Sequence, residues 1–332
     1  MPLLLTESDV RASLDMPSLI DAMAGAVAEF SAGRVTQPVR TVLEVGAEKN
    51  YFGVMPAAID AGGKLGGAAA VGAKLVTVYH GNHALGLTSH LATIILLDHA
   101  TGALRALLDG RYITEARTAA VSAVSVKLLA RPDAASLAIL GSGVQAHSHL
   151  EAIRHVRTLT DVRVWSPTAD HRDAFAREAS TRTGLPVRAC ASAAEAVRGA
   201  AIIAMTTASK TPVIDDRDVA DGAHIAAVGA CRPDQREMPT ALVSRARVFV
   251  DSRAAALKEA GELLLPIGEG AITAAHIAGE LGDVVNTAVP GRTNAREITI
   301  FKSLGMAVED IVAAELALNR AIARGLGQEI HL

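Results

Sequence analysis

The sequence predicts an α/β protein in which a Rossmann doubly wound domain is inserted into an α+β domain. The chain has 332 residues, more than one hydrophobic core usually holds, so we expect two domains. Its first third has helical and then strand-like periodicity, whereas apolar strands alternate with helices from about residue 137. A last helix, over about residues 303–324, lies beyond the alternating region, and we expect it to fold back onto the first domain.

The first third of the chain predicts a helical arm followed by an antiparallel sheet. Between residues 6 and 32 the apolar side chains recur at helical spacing, with a break near Pro17 where a second helix can begin. From Arg40 to Leu97, short runs rich in Val, Thr and Ile alternate with Gly and Asn clusters, which is typical of strands and turns. The turns are expected at Gly62–Gly63, Gly81–Asn82 and Thr101–Gly102.

The second part of the chain predicts a parallel sheet, to which a helix over about Thr114–Ala130 connects the first domain. Because fully apolar strands alternate with helices there, the sheet should be covered by helices on both faces. One helix start is specific, since Ser192-Ala-Ala-Glu195 has the spacing of a capping box. The buried strands are expected at Leu137–Leu140, Val162–Trp165, Ala201–Met205, His224–Val228 and Val248–Val250.

The composition indicates a small-molecule partner and a reducing compartment. The net charge is −3 and the charges are mixed along the chain, so a nucleic-acid or anionic-membrane surface is not expected. The N-terminal apolar run is too short for an export signal, and no apolar stretch has the length of a bilayer span. Cys190 and Cys231 stand far apart, as free thiols of a cytoplasmic protein would. His80, His83 and His90 lack acidic or cysteine partners at a recognised spacing, so we predict no metal site.

A glycine turn after the first strand of the parallel sheet is the clearest sign of a ligand. Gly141-Ser-Gly-Val-Gln-Ala146 matches the G-x-G-x-x-G/A dinucleotide fingerprint in its strand-turn-helix context. Gly141 permits the tight turn, Gly143 lets the backbone approach a diphosphate, and the helix N-terminus supplies N–H groups to the phosphates. The alternative is a turn that needs glycine only for a positive φ. We predict that the dinucleotide contacts Gly141, Ser142, Gly143, Val144 and Gln145.

The end of the second strand bears on which dinucleotide binds. It reads Val164-Trp-Ser-Pro-Thr168 and has no carboxylate, whereas a site for NAD usually places Asp or Glu there. Hydroxyl and cationic groups suit a 2′-phosphate. The pattern favours NADPH, with NADH as the alternative, although an ordinary polar loop would look the same. The candidate donors are Ser166, Thr168, His171 and Arg172.

Several short segments, spread from about Arg40 to the C-terminus, carry a family pattern. They are Asp109-Gly110, Ile113-Thr114, Arg117-Thr-Ala-Ala-Val-Ser122, Gly141-Ser-Gly-Val-Gln-Ala146, Gly222-Ala-His-Ile225, Ala227-Val-Gly-Ala230, Arg232-Pro-Asp-Gln-Arg-Glu237 and Phe301-Lys-Ser-Leu-Gly-Met-Ala307. Together they resemble the ornithine cyclodeaminase and mu-crystallin family. The segment that ends at Glu237 looks like the mu-crystallin branch, which includes ketimine reductases.

The resemblance implies a homodimer and two functional domains. Residues 1–117 with 304–332 would form the substrate-binding and dimerisation domain, and residues 118–303 the dinucleotide-binding domain. Arg40 and Lys74 stand where the family holds the substrate carboxylate; without the resemblance, each would be a surface cation. Spacing alone would equally make Arg117 an ion-pair partner of Glu115 or another carboxylate. The resemblance implies dinucleotide contacts at Ser89, Arg117, Thr118, Thr207, Val228 and Ser303.

One position departs from the cyclodeaminase pattern. Cyclodeaminases carry an Asp after Ala-Val-Gly-Gly that handles the substrate amine, whereas this chain has Cys231 after Ala227-Val-Gly-Ala230. A thiol near neutral pH cannot replace that carboxylate. The departure therefore favours reduction of a cyclic imine over loss of ammonia.

The predicted function is NAD(P)H-dependent reduction of Δ1-piperideine-2-carboxylate or Δ1-pyrroline-2-carboxylate to pipecolate or proline. Arg40 and Lys74 would hold the carboxylate and so orient the imine carbon for hydride transfer. Glu259 is the candidate acid beside the imine nitrogen, its alternative being a solvated helix carboxylate. An ornithine cyclodeaminase or amino-acid dehydrogenase would share these anchors. A protein that holds NADPH and a small ligand without turnover is the alternative of another class.

Overall fold

The chain divides into two compact units. The computed structural model describes residues 1–48, 50–60, 62 and 69–331, and the backbone alone of His80 and His83. One unit comprises Met1–Arg117 and Gly305–Leu332, and the other comprises Thr118–Leu304. The functional roles assigned to the two domains from the sequence stay predictions. Gly63 of the predicted Gly62–Gly63 turn lies outside the described residues.

The first unit is built on an eight-stranded sheet of the described residues, ordered β16-β1-β7-β6-β5-β4-β2, with β3 also paired to β4. The pairs are antiparallel except that β1, which the periodicity did not predict, lies parallel to β7. The elements are β1 Leu3–Leu5, α1 Glu7–Ser13, α2 Met16–Ser31, β2 Val35–Thr36, β3 Thr41–Val45, β4 Asn50–Ile59, β5 Ala70–Val78, β6 His90–Leu97, β7 Leu104–Asp109, the start of α3 Arg111–Leu129, α11 Ala307–Arg324 and β16 Gln328–Glu329.

Alternation along the strands separates a buried face of this sheet from a half-exposed one. Met55, Lys74 and Ile94 are neighbours in register and are all buried. The row beside them contains Val54 and Leu75, which are only partly buried although apolar. An antiparallel sheet whose second face meets water normally places polar residues on it. The half-exposed face of β4 and β5 is therefore unusually apolar.

The last helix, α11, packs on β4, β5, β6 and α2, as the sequence predicted. Its apolar stripe is buried, and Gly325 ends it in the left-handed conformation with φ 66°. The first turn carries Glu309 and Asp310, and both are fully buried. Packing of α11 on the sheet thus brings two carboxylates to the face on which Lys74 lies.

The second unit contains an eight-stranded sheet of the described residues in which every pair is parallel, ordered β10-β9-β8-β11-β12-β15-β13-β14. This confirms the doubly wound α/β fold. The elements are the rest of α3, β8 Ser136–Leu140, α4 Val144–Ile153, β9 Asp161–Trp165, α5 Ala169–Thr183, β10 Val187–Ala189, α6 Ala193–Val197, β11 Ile202–Met205, β12 His224–Ala227, α7 Thr240–Arg245, β13 Arg247–Val250, α8 Arg253–Glu259, α9 Gly261–Gly268, β14 Ile277–Glu280, α10 Leu281–Val285 and β15 Thr299–Lys302.

Two apolar cores cover the two faces of the parallel sheet. One contains Leu150 of α4 and Phe175 of α5, and the other contains Val197 of α6 and Leu242 of α7. The sequence did not predict β15, which lies between β12 and β13, because its four residues end in Lys302 and directly precede residue 303, where the last helix was expected to begin.

The predicted capping box at Ser192 forms only in part. Glu195 N donates to Ser192 Oγ at 3.1 Å, but the Glu195 carboxylate accepts from Ala191 N at 2.9 Å instead of from the N-cap amide. Across the part of the chain that the structure describes, no helix combines the length and apolar character of a membrane span.

Candidate active site

The turn between β8 and α4 has the geometry of a phosphate cradle. Gly141 has φ 113°, and a Cβ there would lie 2.6 Å from Thr206 Oγ1, so only glycine fits. Gly143 differs, because its φ of −86° is open to any residue and a Cβ on it would meet nothing within 4 Å. A need for positive φ therefore explains Gly141 but not Gly143. The open space at Gly143 leaves the N-terminus of α4 accessible to an anion.

The first turn of α4 fits a dinucleotide's diphosphate chemically. Gly143 is the N-cap and offers no side-chain acceptor to the first amides of the helix. Val144 is 51% exposed, and Ala146 is fully buried where the helix meets the sheet. Gln145 has a buried amide oxygen without a hydrogen-bond partner among the described residues. These features leave polar groups available to a ligand at this turn.

Hydroxyl groups and one guanidinium line the end of β9. Ser142 Oγ donates to Ser166 Oγ at 3.0 Å, and Ser166 Oγ donates to the carbonyl of Thr168 at 3.2 Å. Arg172 Nη1 donates to the Ser166 carbonyl at 3.3 Å, which keeps the cation beside this strand end. The structure thus brings Ser142, Ser166, Thr168 and Arg172 together. A cleft that includes Trp165, the last residue of β9, is also lined by Ser192, Pro212, Ile214 and Pro239.

Three further predicted dinucleotide contacts follow neighbouring parallel strands. Thr207 and Val228 come after β11 and β12, and Ser303 directly follows β15, so all three lie at the carboxyl edge of the sheet. Ser303 Oγ donates to Asp251 Oδ2 at 3.2 Å. Thr118 lies within α3, where its carbonyl accepts from Ser122 Oγ. Contact of these residues with a dinucleotide stays a prediction.

Lys74 and Arg117 belong to a buried ion cluster in the first unit. Lys74 is 2% exposed, so it is not a surface cation, and its Nζ lies 2.7 Å from Asp310 Oδ2 and 3.5 Å from Thr114 Oγ1. Arg117 Nε lies 2.9 Å from Asp310 Oδ1, and Nη1 lies 2.7 Å from Glu309 Oε2. Asp310 thus pairs with both cations at once. Arg117 has carboxylate partners, as its alternative role predicted, but they are Glu309 and Asp310.

Charges around Lys74 set its protonation. Burial lowers the pKa of the Lys74 ammonium to about 8, Asp310 opposes that shift, and the charges of Arg117 and Arg40 add to it. Arg40, on the loop before β3, is thus electrostatically coupled to Lys74. Burial, together with Lys74 and Arg117, lowers the pKa of His90 to about 4, so this imidazole is neutral at physiological pH. The cluster of three cations and two carboxylates suits an anionic substrate group.

Ser89 and Glu259 are the remaining predicted site residues. The Ser89 carbonyl, just before β6, accepts from Tyr79 N at 2.8 Å. Glu259 ends α8 in the second unit and is half-buried. Their roles toward cofactor and substrate stay predictions. Cys231, which replaces the cyclodeaminase Asp, donates from Sγ to the Val228 carbonyl at 3.4 Å.

Sequence reasoning missed Glu309 and Asp310. Acidic residues in the first turn of a helix are ordinarily explained by the helix dipole, which conceals a second role. A usable signal was present, because the pair stands two and three positions after Ala307, the last residue of a family segment. Only the packing of α11 on the sheet shows that the pair meets Lys74 and Arg117.

Comparisons with known proteins agree with the motifs. The chain matches the ornithine cyclodeaminase/mu-crystallin family over residues 1–325. It is 44% identical to ketimine reductase mu-crystallin of Mus musculus over 322 residues, which span 96% of this chain and 97% of that protein.

Two solved structures have the same fold over nearly the whole chain. The Δ1-pyrroline-2-carboxylate reductase of Thermococcus litoralis in complex with NADH and L-proline has a TM-score of 0.94 at 35% identity, covering 99% of this chain and 100% of that one. An archaeal alanine dehydrogenase dimer with bound NAD has a TM-score of 0.93 at 28% identity, covering 100% and 99%. The chain therefore belongs to the ornithine cyclodeaminase/mu-crystallin family, as its segments predicted.

Proposed function

We propose that this protein reduces a cyclic imino acid, Δ1-piperideine-2-carboxylate or Δ1-pyrroline-2-carboxylate, to pipecolate or proline with NADPH or NADH. The observation that carries the proposal is the buried ammonium of Lys74, fixed by Asp310 and coupled to Arg40 and Arg117, in a chain that also has an open glycine turn. The names of the relatives supply the substrate class, since they include a ketimine reductase and a pyrroline-2-carboxylate reductase.

Lys74 and Arg40 bind the substrate carboxylate in this proposal. A guanidinium pairs with a carboxylate through two hydrogen bonds, and a buried ammonium adds a charge that water screens little. Asp310 holds Lys74 in one position, so less rotamer entropy is lost when the substrate binds. The bound dinucleotide supplies the hydride for the imine carbon. Glu259 is the proposed acid for the imine nitrogen.

The proposed cofactor preference is for NADPH, with NADH also used. Ser166 and Thr168 at the end of β9, with Arg172 hydrogen-bonded to that segment, offer hydroxyl and cationic donors to a 2′-phosphate. An adenosine ribose without the phosphate would use the same hydroxyls, which is why both dinucleotides fit the proposal.

The proposed assembly is a homodimer in the cytoplasm. The half-exposed apolar face of β4 and β5, with Val54 and Leu75, gives a second copy a surface to cover, and a structurally similar alanine dehydrogenase is a dimer. Both Cys190 and Cys231 are free thiols, which suits a reducing compartment.

The test is a panel of steady-state assays with purified protein. Oxidation of NADPH and of NADH is followed with each cyclic imine, with pyruvate plus ammonia, and with pyruvate plus methylamine, and NAD-dependent ammonia release is followed with ornithine. We expect turnover with the cyclic imines to exceed the others. Ammonia release from ornithine would instead establish a cyclodeaminase, and an absence of turnover with every substrate would favour a binding protein.

Variants connect the activity to the ion cluster. Arg40→Ala and Lys74→Ala should each raise KM for the imine about tenfold or more, since each removes a charge-assisted bond worth roughly 1.5 to 3 kcal/mol. Arg105→Ala is the matched control, because Arg105 is a partly exposed cation of the same unit paired with Glu315. Wild-type KM in both cluster variants would contradict the proposed carboxylate site.

A further inference from the structure

One carboxylate, that of Glu237, ties together the loops that follow β11 and β12. Glu237 is fully buried. Its Oε1 accepts from Thr207 N at 2.8 Å and from Thr207 Oγ1 at 2.7 Å, and its Oε2 accepts from Gly229 N at 3.0 Å and from Ala230 N at 3.1 Å. Four donors from two separate loops thus converge on one side chain.

The two loops approach each other so closely that only glycine fits at one position. A Cβ on Gly229 would lie 2.1 Å from the Thr207 carbonyl oxygen and 2.6 Å from both carboxylate oxygens of Glu237. Real Cβ atoms do not approach other atoms at such distances. Gly229 therefore lets the loop after β12 contact both Thr207 and the carboxylate that joins them.

A buried cation, Lys302, is electrostatically coupled to this carboxylate. Lys302, at the end of β15, donates to the carbonyls of Ala230 and Ala227, and its Nζ lies 3.6 Å from Glu262 Oε2. Glu262 Oε1 in turn accepts from Glu237 N at 2.9 Å. Burial raises the pKa of Glu237, and Lys302 opposes that shift. Three of the four partners of Glu237 are backbone amides, which need acceptor oxygens, and a carboxylate supplies them on both of its oxygens.

The two loops joined by Glu237 lie at the edge of the sheet where a dinucleotide would bind. In a doubly wound sheet a dinucleotide binds outside the carboxyl ends of the strands, with one nucleotide on each half. The glycine turn after β8 marks the adenosine and diphosphate side, and β11 and β12 begin the other half. The loops joined by Glu237 contain Thr207 and Val228, two of the predicted dinucleotide contacts.

We propose that Glu237 is a positioning residue for the nicotinamide end of the dinucleotide. Its carboxylate holds the loops after β11 and β12 at the spacing that receives the nicotinamide ring and its ribose. The inference rests on the proposed function, because it requires a bound dinucleotide. Glu237 does not contact the cofactor in this proposal. It acts by holding Thr207, Gly229 and Ala230 in place.

The test compares two ligands that share the adenosine and diphosphate groups. Binding of ADP and of NADPH (or NADH, whichever the wild type binds more tightly) is measured by titration calorimetry for wild type, Glu237→Gln and Gly229→Ala. An amide at position 237 can satisfy only part of the donors, and a methyl at 229 forces the loops apart. We expect each variant to bind the dinucleotide about tenfold more weakly or worse, with ADP affinity within about twofold of wild type.

Each outcome is decisive. Glu195→Gln is the matched control, since Glu195 also accepts a backbone N–H in this unit but is well exposed, and it should bind both ligands as wild type does. Equal affinity losses for ADP and dinucleotide in Glu237→Gln would assign Glu237 to folding of the unit and overturn the proposal, as would wild-type affinity for both. A wild-type protein that binds neither ligand would overturn the proposed function instead.

Discussion

Lys74 Nζ and Asp310 Oδ2 lie 2.7 Å apart in an almost fully buried pair, although 236 positions separate the two residues in the chain. The pair exists because α11 packs on the strand that carries Lys74. Asp310 also accepts from Arg117, so one carboxylate orders two cations.

Asp310→Asn should move the alkaline limb of the pH profile to lower pH. The Lys74 pKa is about 8, and Asp310 raises it against the effects of burial and of Arg117. Because the protonated ammonium binds the carboxylate, kcat/KM for the imine should fall above about pH 8 in wild type and at lower pH in the variant. Glu315→Gln, on the same helix, should leave the profile unchanged. Superimposable profiles of Asp310→Asn and wild type would separate Lys74 from substrate binding.

Arg117→Ala should destabilise the protein strongly, whatever its effect on the cofactor. Removal of the guanidinium leaves Glu309 and Asp310 buried without one of their cations, which costs about 3 kcal/mol or more. Arg11→Ala removes an exposed cation from a surface pair and should cost less than about 1 kcal/mol. Urea denaturation measures both free energies of unfolding. Similar values for the two variants would mean that the ion cluster contributes little to stability.

The sequence could predict features that depend on neighbouring residues in the chain, but not those that depend on contacts between distant residues. The glycine turn, the parallel strands and the N-cap at Ser192 are local patterns, and the structure contains all three. The family segment before Asp310 marked its neighbourhood but not its role, and nothing local marked the role of Glu237, because both carboxylates act through contacts with residues that are distant in the chain or in another loop. A carboxylate looks the same in a sequence whether water or a buried lysine surrounds it, and only the packing distinguishes these cases.

Acid should destabilise the second unit through two buried histidines. Burial lowers the pKa of His149 to about 4 and that of His224 to about 3, whereas an unfolded histidine titrates near 6.5. The unfolded state therefore binds more protons, and stability falls as the pH drops below about 6.5, by on the order of 2 kcal/mol per histidine at pH 5. His149→Gln should reduce this pH slope, and the exposed His99→Gln should not. Urea titrations at pH values from 7.5 to 5 measure the free energy of unfolding of each variant. A wild-type pH slope in His149→Gln would mean that His149 does not cause the loss of stability in acid.

Arg172→Ala should weaken NADPH and spare NADH. Arg172 is held at the end of β9 by its bond to the Ser166 carbonyl, where a 2′-phosphate is expected. Loss of one charge-assisted bond predicts a KM for NADPH about tenfold higher, with the KM for NADH within about twofold. Arg177→Ala, an exposed arginine of the same helix, is the control. Equal effects on both dinucleotides would contradict the role given to this strand end.

Val54→Lys should produce a monomer. Val54 pairs with Leu75 in register on the half-exposed face of the first sheet, and an ammonium there would have to be desolvated between two copies. Ile322→Lys is the matched control, because Ile322 is 58% exposed on α11 and should tolerate the charge. Light scattering coupled to size-exclusion chromatography gives the mass of each variant in solution. A dimer of unchanged mass for Val54→Lys would place the interface on a surface other than this one, and a monomeric wild type would leave the apolar face without the partner proposed for it.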